Sequence, residues 1–385
     1  MASDRRTRIL IVDDSAVMRS LLRAVVCSDG TLEVAGTAEN GESGLRAIDS
    51  LHPDLVLMDV EMPVMDGLAT LKELRTRSHR PPVIICSSLT QRGARVTIEA
   101  LSRGASDYIA KPAGYGNRDA AIQALAQDLI PKIKALAVQA SQISPSSPAR
   151  IGAALPSQPA PSVVRGAAPV IVVIGVSTGG PAALDRVLPS LPSSFPLPIL
   201  VVQHMPELFT ALLAERLNGL CRLNVREAVE GVPVQPGTIS IARGNWHMEV
   251  RGAAGHSTTP TLHLTQGPLE NHCRPAVDLL FRSVATVYGA GVLAVILTGM
   301  GSDGLIGCRL LRAAGSTVLA QDQASSTIWG MPGAVTTAGL ANRVLPLDAI
   351  GPEIIRLARG NCASPCASSP TTPTTIPTTI QGSVA

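Results

Sequence analysis

Short apolar runs alternate with stretches of helical periodicity along most of this chain. In the first 140 residues the runs are Ile9–Val12, Leu32–Ala35, Leu55–Met58, Val83–Cys86 and Tyr108–Ile109. Amphipathic segments lie among them at Ala16–Val26, Leu68–Arg77, Arg92–Arg103 and Asp119–Ala140. A strand-then-helix rhythm repeated five times predicts a five-stranded parallel sheet covered by helices on both faces, a doubly wound flavodoxin-like α/β domain. Ligands of such a sheet gather at the carboxyl ends of its strands.

The rhythm restarts at Val170. Val170–Ile174, Ile199–Gln203 and Val292–Leu297 are near-continuous apolar runs, as expected of strands buried on both faces. Helical patterns follow at Ala182–Leu188, Glu207–Leu217, Val277–Tyr288, Leu305–Ala313 and Asp348–Arg359. Asn224–Thr265 reads as short strands with Gly and Pro turns, an antiparallel extension, so a Rossmann-like mixed sheet is expected here. The expected boundaries are a first domain over 1–140, a flexible Pro/Ser/Ala-rich linker over 141–168, a second domain over 169–360, and a Thr/Pro/Ser-rich tail over 361–385. The tail has almost no large apolar residue with which to offset the entropy of ordering, and is expected to be disordered.

A length of 385 residues fits two cores better than one. The net charge of +3 is small and its cations are scattered, which argues against nucleic acid as a partner. There is also no helix-turn-helix or basic recognition helix after the linker, as a transcription factor would need. Seven cysteines without a CxxC pair, mostly within apolar runs, suit buried thiols in a reducing compartment. No signal-peptide pattern follows Met1, and the apolar run Val287–Met300 is glycine-interrupted and shorter than the roughly 18 residues a membrane span needs. A soluble, cytoplasmic monomer without membrane insertion is expected.

Candidate chemistry clusters at strand ends. Asp13 and Asp14 follow the first strand, Asp59 ends the third, Ser87 follows the fourth and Lys111 follows the fifth. Three converging carboxylates repel one another unless a hard divalent cation such as Mg²⁺ sits among them. Asp59 then reads as a nucleophile toward a phosphoryl donor, with the metal and the Lys111 ammonium neutralising the transferred group. Asp13 or Asp14 taken singly would equally suit a helix cap.

In the second domain, Gly175-Val-Ser-Thr-Gly-Gly-Pro181 follows a buried strand and opens a helix. The G-x-S-x-G spacing lifts the Ser177 hydroxyl on a sharp turn. A phosphate-binding turn would look similar. A serine nucleophile needs a base and the base an orienting acid, and His204 and Asp303 both lie just past apolar strands, at the same edge of the predicted sheet.

These motifs carry a resemblance. Asp13-Asp14-Ser15, Met58-Asp59-Val-Glu-Met-Pro63 with Asp66-Gly67, and Lys111-Pro112 resemble a response-regulator receiver domain. The likeness implies phosphorylation of Asp59 by a histidine kinase, a Glu61 carbonyl on the metal, and Ser87 and Tyr108 as moving switch residues. Gly175–Pro181, Gln203–Pro206, Arg274-Pro-Ala-Val-Asp278 with Leu280-Phe281, Leu297–Gly304 and Gly330-Met-Pro332 resemble the chemotaxis protein-glutamate methylesterases. That family likeness implies Ser177 as nucleophile, His204 as general base and acid, Asp303 as its orienting residue, and the amides of Thr178 and Met300 as an oxyanion hole. It further implies methylated chemoreceptors as substrate, deamidation of receptor glutamines as a second activity, and a catalytic domain without a cofactor. A response regulator whose second domain only binds a partner is the competing expectation. Two departures stand out: Cys273 where a histidine is expected and Arg243 where a proline is expected. Neither is expected to touch Ser177, His204 or Asp303, so both bear on the rim and on substrate preference.

Overall fold

The computed structural model describes residues 5–88, 90–112, 117–143, 168–252 and 259–360. The expected tail and most of the expected linker lie outside the described residues. The first domain runs β1 (Thr7–Val12), α1 (Ala16–Cys27), β2 (Leu32–Ala38), α2 (Gly41–Leu51), β3 (Leu55–Asp59), α3 (Gly67–Leu74), β4 (Val83–Ser87), α4 (Gln91–Ser102), β5 (Asp107–Ala110) and α5 (Arg118–Ile143). All pairings in its sheet are parallel, in the order β2-β1-β3-β4-β5. The strands are covered on both faces, so Ile9, Leu10 and Ile11 are each fully buried although they point to opposite sides. Helix α5 reaches Ile143, past the expected linker start at Ser141.

The second domain continues with β6 (Ile171–Val176), α6 (Gly180–Val187), β7 (Ile199–Gln203), α7 (Glu207–Leu220), β8 (Asn224–Glu227), β9 (Thr238–Ile241), β10 (His247–Arg251), β11 (Thr261–Thr265), α8 (Val277–Tyr288), β12 (Val292–Ile296), α9 (Leu305–Ala313), β13 (Thr317–Gln321), α10 (Met331–Thr337), β14 (Arg343–Leu345) and α11 (Leu347–Arg359). Seven strands form one sheet in the order β14-β13-β12-β6-β7-β9-β8, every pairing parallel. The antiparallel character expected for Asn224–Thr265 is confined to a separate ribbon of β10 and β11, while β8 and β9 join the main sheet in parallel. Strand order reverses around β6, so β6, β7 and β12 open their carboxyl ends into one crevice, the usual place for a site in such a sheet.

One of the buried apolar clusters runs through both domains. Tyr108 of β5 stacks on Phe209 of α7 with ring centroids 4.6 Å apart, and both side chains are buried. Arg95 of α4 makes a forked pair with Glu215 of α7, at 3.2 and 3.0 Å. Among the described residues no helix is long and apolar enough to cross a membrane.

Candidate active site and phosphate-accepting pocket

The acidic cluster of the first domain assembles as its strand ends predict. Asp13 is buried, Asp14 exposed and Asp59 buried, with ligand oxygens within 4.8 Å of one another. Ser15 caps α1 through its own side chain, so neither Asp13 nor Asp14 is the cap. Lys111 Nζ lies 2.8 Å from Asp59 Oδ2 and 3.0 Å from Asp13 Oδ2. That Asp13 oxygen is buried, and the Lys111 ammonium is the partner it meets. Such an oxygen, facing two further carboxylates, is a donor set suited to a hard cation. Burial pushes the Asp59 carboxyl up, the Asp13 charge adds to this, and Lys111 opposes it. Burial alone would lower Lys111, but Asp59 and Asp13 hold it above the usual lysine value.

A cavity of about 120 Å³ beside Asp59 is lined by Glu61, Ser87, Gly93 and Lys111. Here Ser87 faces α4: Thr97 Oγ1 donates to Ser87 Oγ at 2.5 Å, and Ser87 lies 3.3 Å from the Gly93 carbonyl. The side chain of Glu61 pairs with Arg92 at 3.0 Å. Tyr108 lies buried against the second domain.

In the second domain the turn after β6 presents Ser177, half-buried. Gly179 adopts φ +78°, a left-handed conformation in which a side chain would be strained. At Gly180 a side chain would run into Gln203, whose amide donates to the Ser177 carbonyl at 2.9 Å. The glycine pair thus allows the turn, and Gln203 fixes it. Among the described residues the backbone N–H groups of Thr178 and Met300 have no hydrogen-bond partner.

His204 sits beside this turn, its own amide donating to the Val176 carbonyl at 3.2 Å. Its Nε2 meets Asp303 Oδ2 at 2.8 Å. Asp303 is almost fully buried and accepts from the amides of Val277 (2.6 Å), Gly304 (2.9 Å) and Asp278 (3.0 Å). Burial pushes its carboxyl up, but the His204 contact and these amides outweigh burial and hold it below the usual range. Such a carboxylate stays ionised and fixes the ring.

Sequence reasoning missed the turn that completes this site. Glu270 and Cys273 exchange backbone hydrogen bonds at 3.1 and 2.9 Å around Asn271 and His272, whose φ values are +51° and +61°. Two left-handed central residues make a type I′ turn, for which asparagine is well suited. The turn sends the Asn271 amide inward, donating to Asp303 Oδ1 at 2.8 Å and to Asp278 Oδ2 at 2.9 Å. It also places Cys273 Sγ 3.6 Å from His204 Nδ1. The expectation that Cys273 stays clear of the triad is therefore wrong: the residue replacing the expected histidine touches the imidazole. Arg243 does remain on the rim, paired with Glu207 and 5.7 Å from the Trp246 ring. Burial lowers the affinity of His204 for a proton, but Asp303 and the Cys273 sulfur outweigh burial and raise it to about 9.

Residues 172–354 match the CheB methylesterase family and residues 9–126 the response regulator receiver domain. A protein of Nocardioides sp. described as protein-glutamate methylesterase/protein-glutamine glutaminase is 49% identical over 362 residues, covering 91% of this chain and 96% of that one. One of the same description from Trichodesmium erythraeum is 46% identical over 349 residues, covering 91% and 98%. The CheB methylesterase catalytic domain of Thermotoga maritima aligns at 42% identity over 49% of this chain and 98% of its own, with a TM-score of 0.47. The chain belongs to the protein-glutamate methylesterase/protein-glutamine glutaminase family, with a response regulator receiver domain ahead of a CheB methylesterase domain.

Proposed function

We propose that this chain hydrolyses glutamyl methyl esters on chemoreceptors to glutamate and methanol under the control of Asp59 phosphorylation. The observation that carries the reading is the buried, ionised Asp303 aligned on His204 beside the Ser177 turn. A domain that only bound a partner would have no use for that alignment. With Nε2 committed to Asp303, the Nδ1 side of the ring, which Cys273 Sγ also approaches at 3.6 Å, is the side that would take the Ser177 proton. The serine oxygen attacks the ester carbonyl, and the amides of Thr178 and Met300 receive the developing oxyanion. Protonation by His204 releases methanol, and a water activated by the same nitrogen frees the glutamate. A glutamine side chain would release ammonia by the same steps. The reaction needs side chains and water alone.

Asp13, Asp14, Asp59 and the Glu61 carbonyl are the groups that would hold Mg²⁺ in the receiver. When bound, that ion neutralises charge on the phosphoryl group during transfer. Asp59 supplies the attacking oxygen, and Lys111 pairs with the phosphoryl oxygens once they arrive. A phosphoryl group on Asp59 draws Ser87 away from Thr97 and Gly93 of α4. Helix α4 and Tyr108 are also what the second domain packs against, so the interface loosens. The proposed division is a receiver over 1–140, a linker over 141–168, a catalytic domain over 169–360 and a tail over 361–385. The proposed setting is the cytoplasm, with the chain a monomer that takes its phosphoryl group from a histidine kinase and binds no nucleic acid.

Ser177→Ala tests the catalytic reading. It should abolish methanol release from methylated receptor and leave phosphorylation of Asp59 intact. Retained release would sink it.

A further inference from the structure

Cys273 is set apart from the other described cysteines. Cys86 and Cys308 are buried, and burial pushes both thiols far up. Cys221 is pushed up to about 11, burial leading and the Asp185 charge adding. Cys27 is exposed. Cys273 is half-buried, and among the described cysteines it is the one whose sulfur is hydrogen bonded to a side-chain base, His204 Nδ1 at 3.6 Å. The base is oriented from its far side by Asp303 at 2.8 Å, and Asn271 ties Asp303 to Asp278. Nucleophile, base and orienting acid are the parts of a thiol activated by proton transfer. The type I′ turn that aims Cys273 also aims Asn271, so the sulfur is placed by the same element that braces the acid.

We propose that Cys273 is a modification site for small hydroperoxides, and that its oxidation takes His204 Nδ1 away from Ser177 and silences the esterase. The inference rests on the reading of His204 as the base of the serine reaction. The Sγ proton passes to Nδ1, and the thiolate attacks one peroxide oxygen. An S–O bond forms as the O–O bond breaks, and the departing hydroxide takes the proton from His204 to leave as water. Sulfur is oxidised to a sulfenic acid while the peroxide is reduced. The new hydroxyl stands at Nδ1, and a thiol reductant restores the original pair.

The test treats the full chain with hydrogen peroxide at pH about 9, where the neutral His204 ring is present to accept a proton, traps sulfenic acid with dimedone, and locates the adduct by peptide mass spectrometry. Methanol release is measured before and after treatment. Cys273 should be trapped about ten-fold faster than exposed Cys27, and His204→Gln should bring the Cys273 rate down toward that of Cys27. Cys273→Ser should keep its own starting activity through a dose that silences the unsubstituted chain, whose activity dithiothreitol returns. Trapping no faster than at Cys27, a rate indifferent to His204→Gln, or equal loss of activity in Cys273→Ser each overturns the proposal. Fast, His204-dependent trapping in a chain that never releases methanol upholds the thiol–imidazole pair and overturns the esterase reading instead.

Discussion

The Thr178 hydroxyl donates to Asp107 Oδ2 at 2.7 Å, so the residue after Ser177 is held by a carboxylate of the receiver. Asp107 is buried and has Lys132 Nζ 3.8 Å away, and its other oxygen accepts from the Tyr108 amide at 2.8 Å. The contact sits at the start of β5, one residue before the aromatic ring that stacks on Phe209. The serine turn and the Tyr108–Phe209 stack are thereby joined through adjacent residues of β5.

Breaking that contact should release the enzyme from its receiver. A hydrogen bond to a buried charge contributes about 1.5–3 kcal/mol, so Asp107→Ala should raise basal methanol release of the unphosphorylated chain by about ten-fold. The comparison is the initial rate without phosphodonor. A rate equal to that of the unsubstituted chain would mean that the contact does not restrain the site.

The apolar part of the interface should outweigh its ion pair. Arg95 and Glu215 are each more than half exposed, and such pairs contribute about 0–1 kcal/mol. Phe209 is fully buried, and truncating a buried phenylalanine costs about 3–5 kcal/mol. Denaturant unfolding should therefore show a large loss for Phe209→Ala and a small one for Arg95→Ala. Equal losses would contradict this ordering.

Much of this was legible in the sequence, for physical reasons. A parallel sheet brings strand ends together, so Asp13, Asp59 and Lys111 could be grouped by position alone, as could Ser177, His204 and Asp303. The helix Val277–Tyr288 follows its apolar pattern residue for residue. Strand β13 is a five-residue run that follows the helical pattern Leu305–Ala313 but has no helical pattern directly after it to mark a strand-helix unit. Helix α10 contains Pro332 and Gly333 and so resembles a loop, although proline is tolerated in the first helical turn, where its N–H would be unpaired anyway. Asn271 and Cys273 enter the site only through two left-handed residues, and their reach to Asp303 and His204 depends on tertiary geometry. Asp107 and Phe209 gain their roles across the domain boundary, where no periodicity in either domain points.

The base should titrate late. His204 is faced by Asp303 and Cys273, with Asp278 behind Asp303, and its proton affinity is raised to about 9. Only the neutral ring can accept the serine proton, so activity should be low at neutral pH and climb as pH rises through about 9. Asp303→Asn removes the carboxylate charge that favours the imidazolium. It should move this rise to lower pH while cutting the maximal rate by about 10⁴-fold, as in other triads. A profile flat from neutral pH upward would contradict the ion-pair account.

The acidic pocket should depend on its cation. Chelation of divalent ions should stop incorporation of phosphate from a small phosphodonor, and Mg²⁺ should restore it. Lys111→Met should retain a metal-dependent change in the unphosphorylated pocket but slow phosphoryl transfer. Incorporation that persists in chelator would place the chemistry elsewhere.

The most direct test of a receiver commanding an esterase is the initial rate of methanol release from methylated chemoreceptor by the full chain, with and without a small phosphodonor and Mg²⁺. The account predicts a several-fold rise on phosphorylation that Asp59→Asn abolishes and Ser177→Ala reduces to background. Equal rates with and without phosphodonor, or a rise that survives Asp59→Asn, would contradict it.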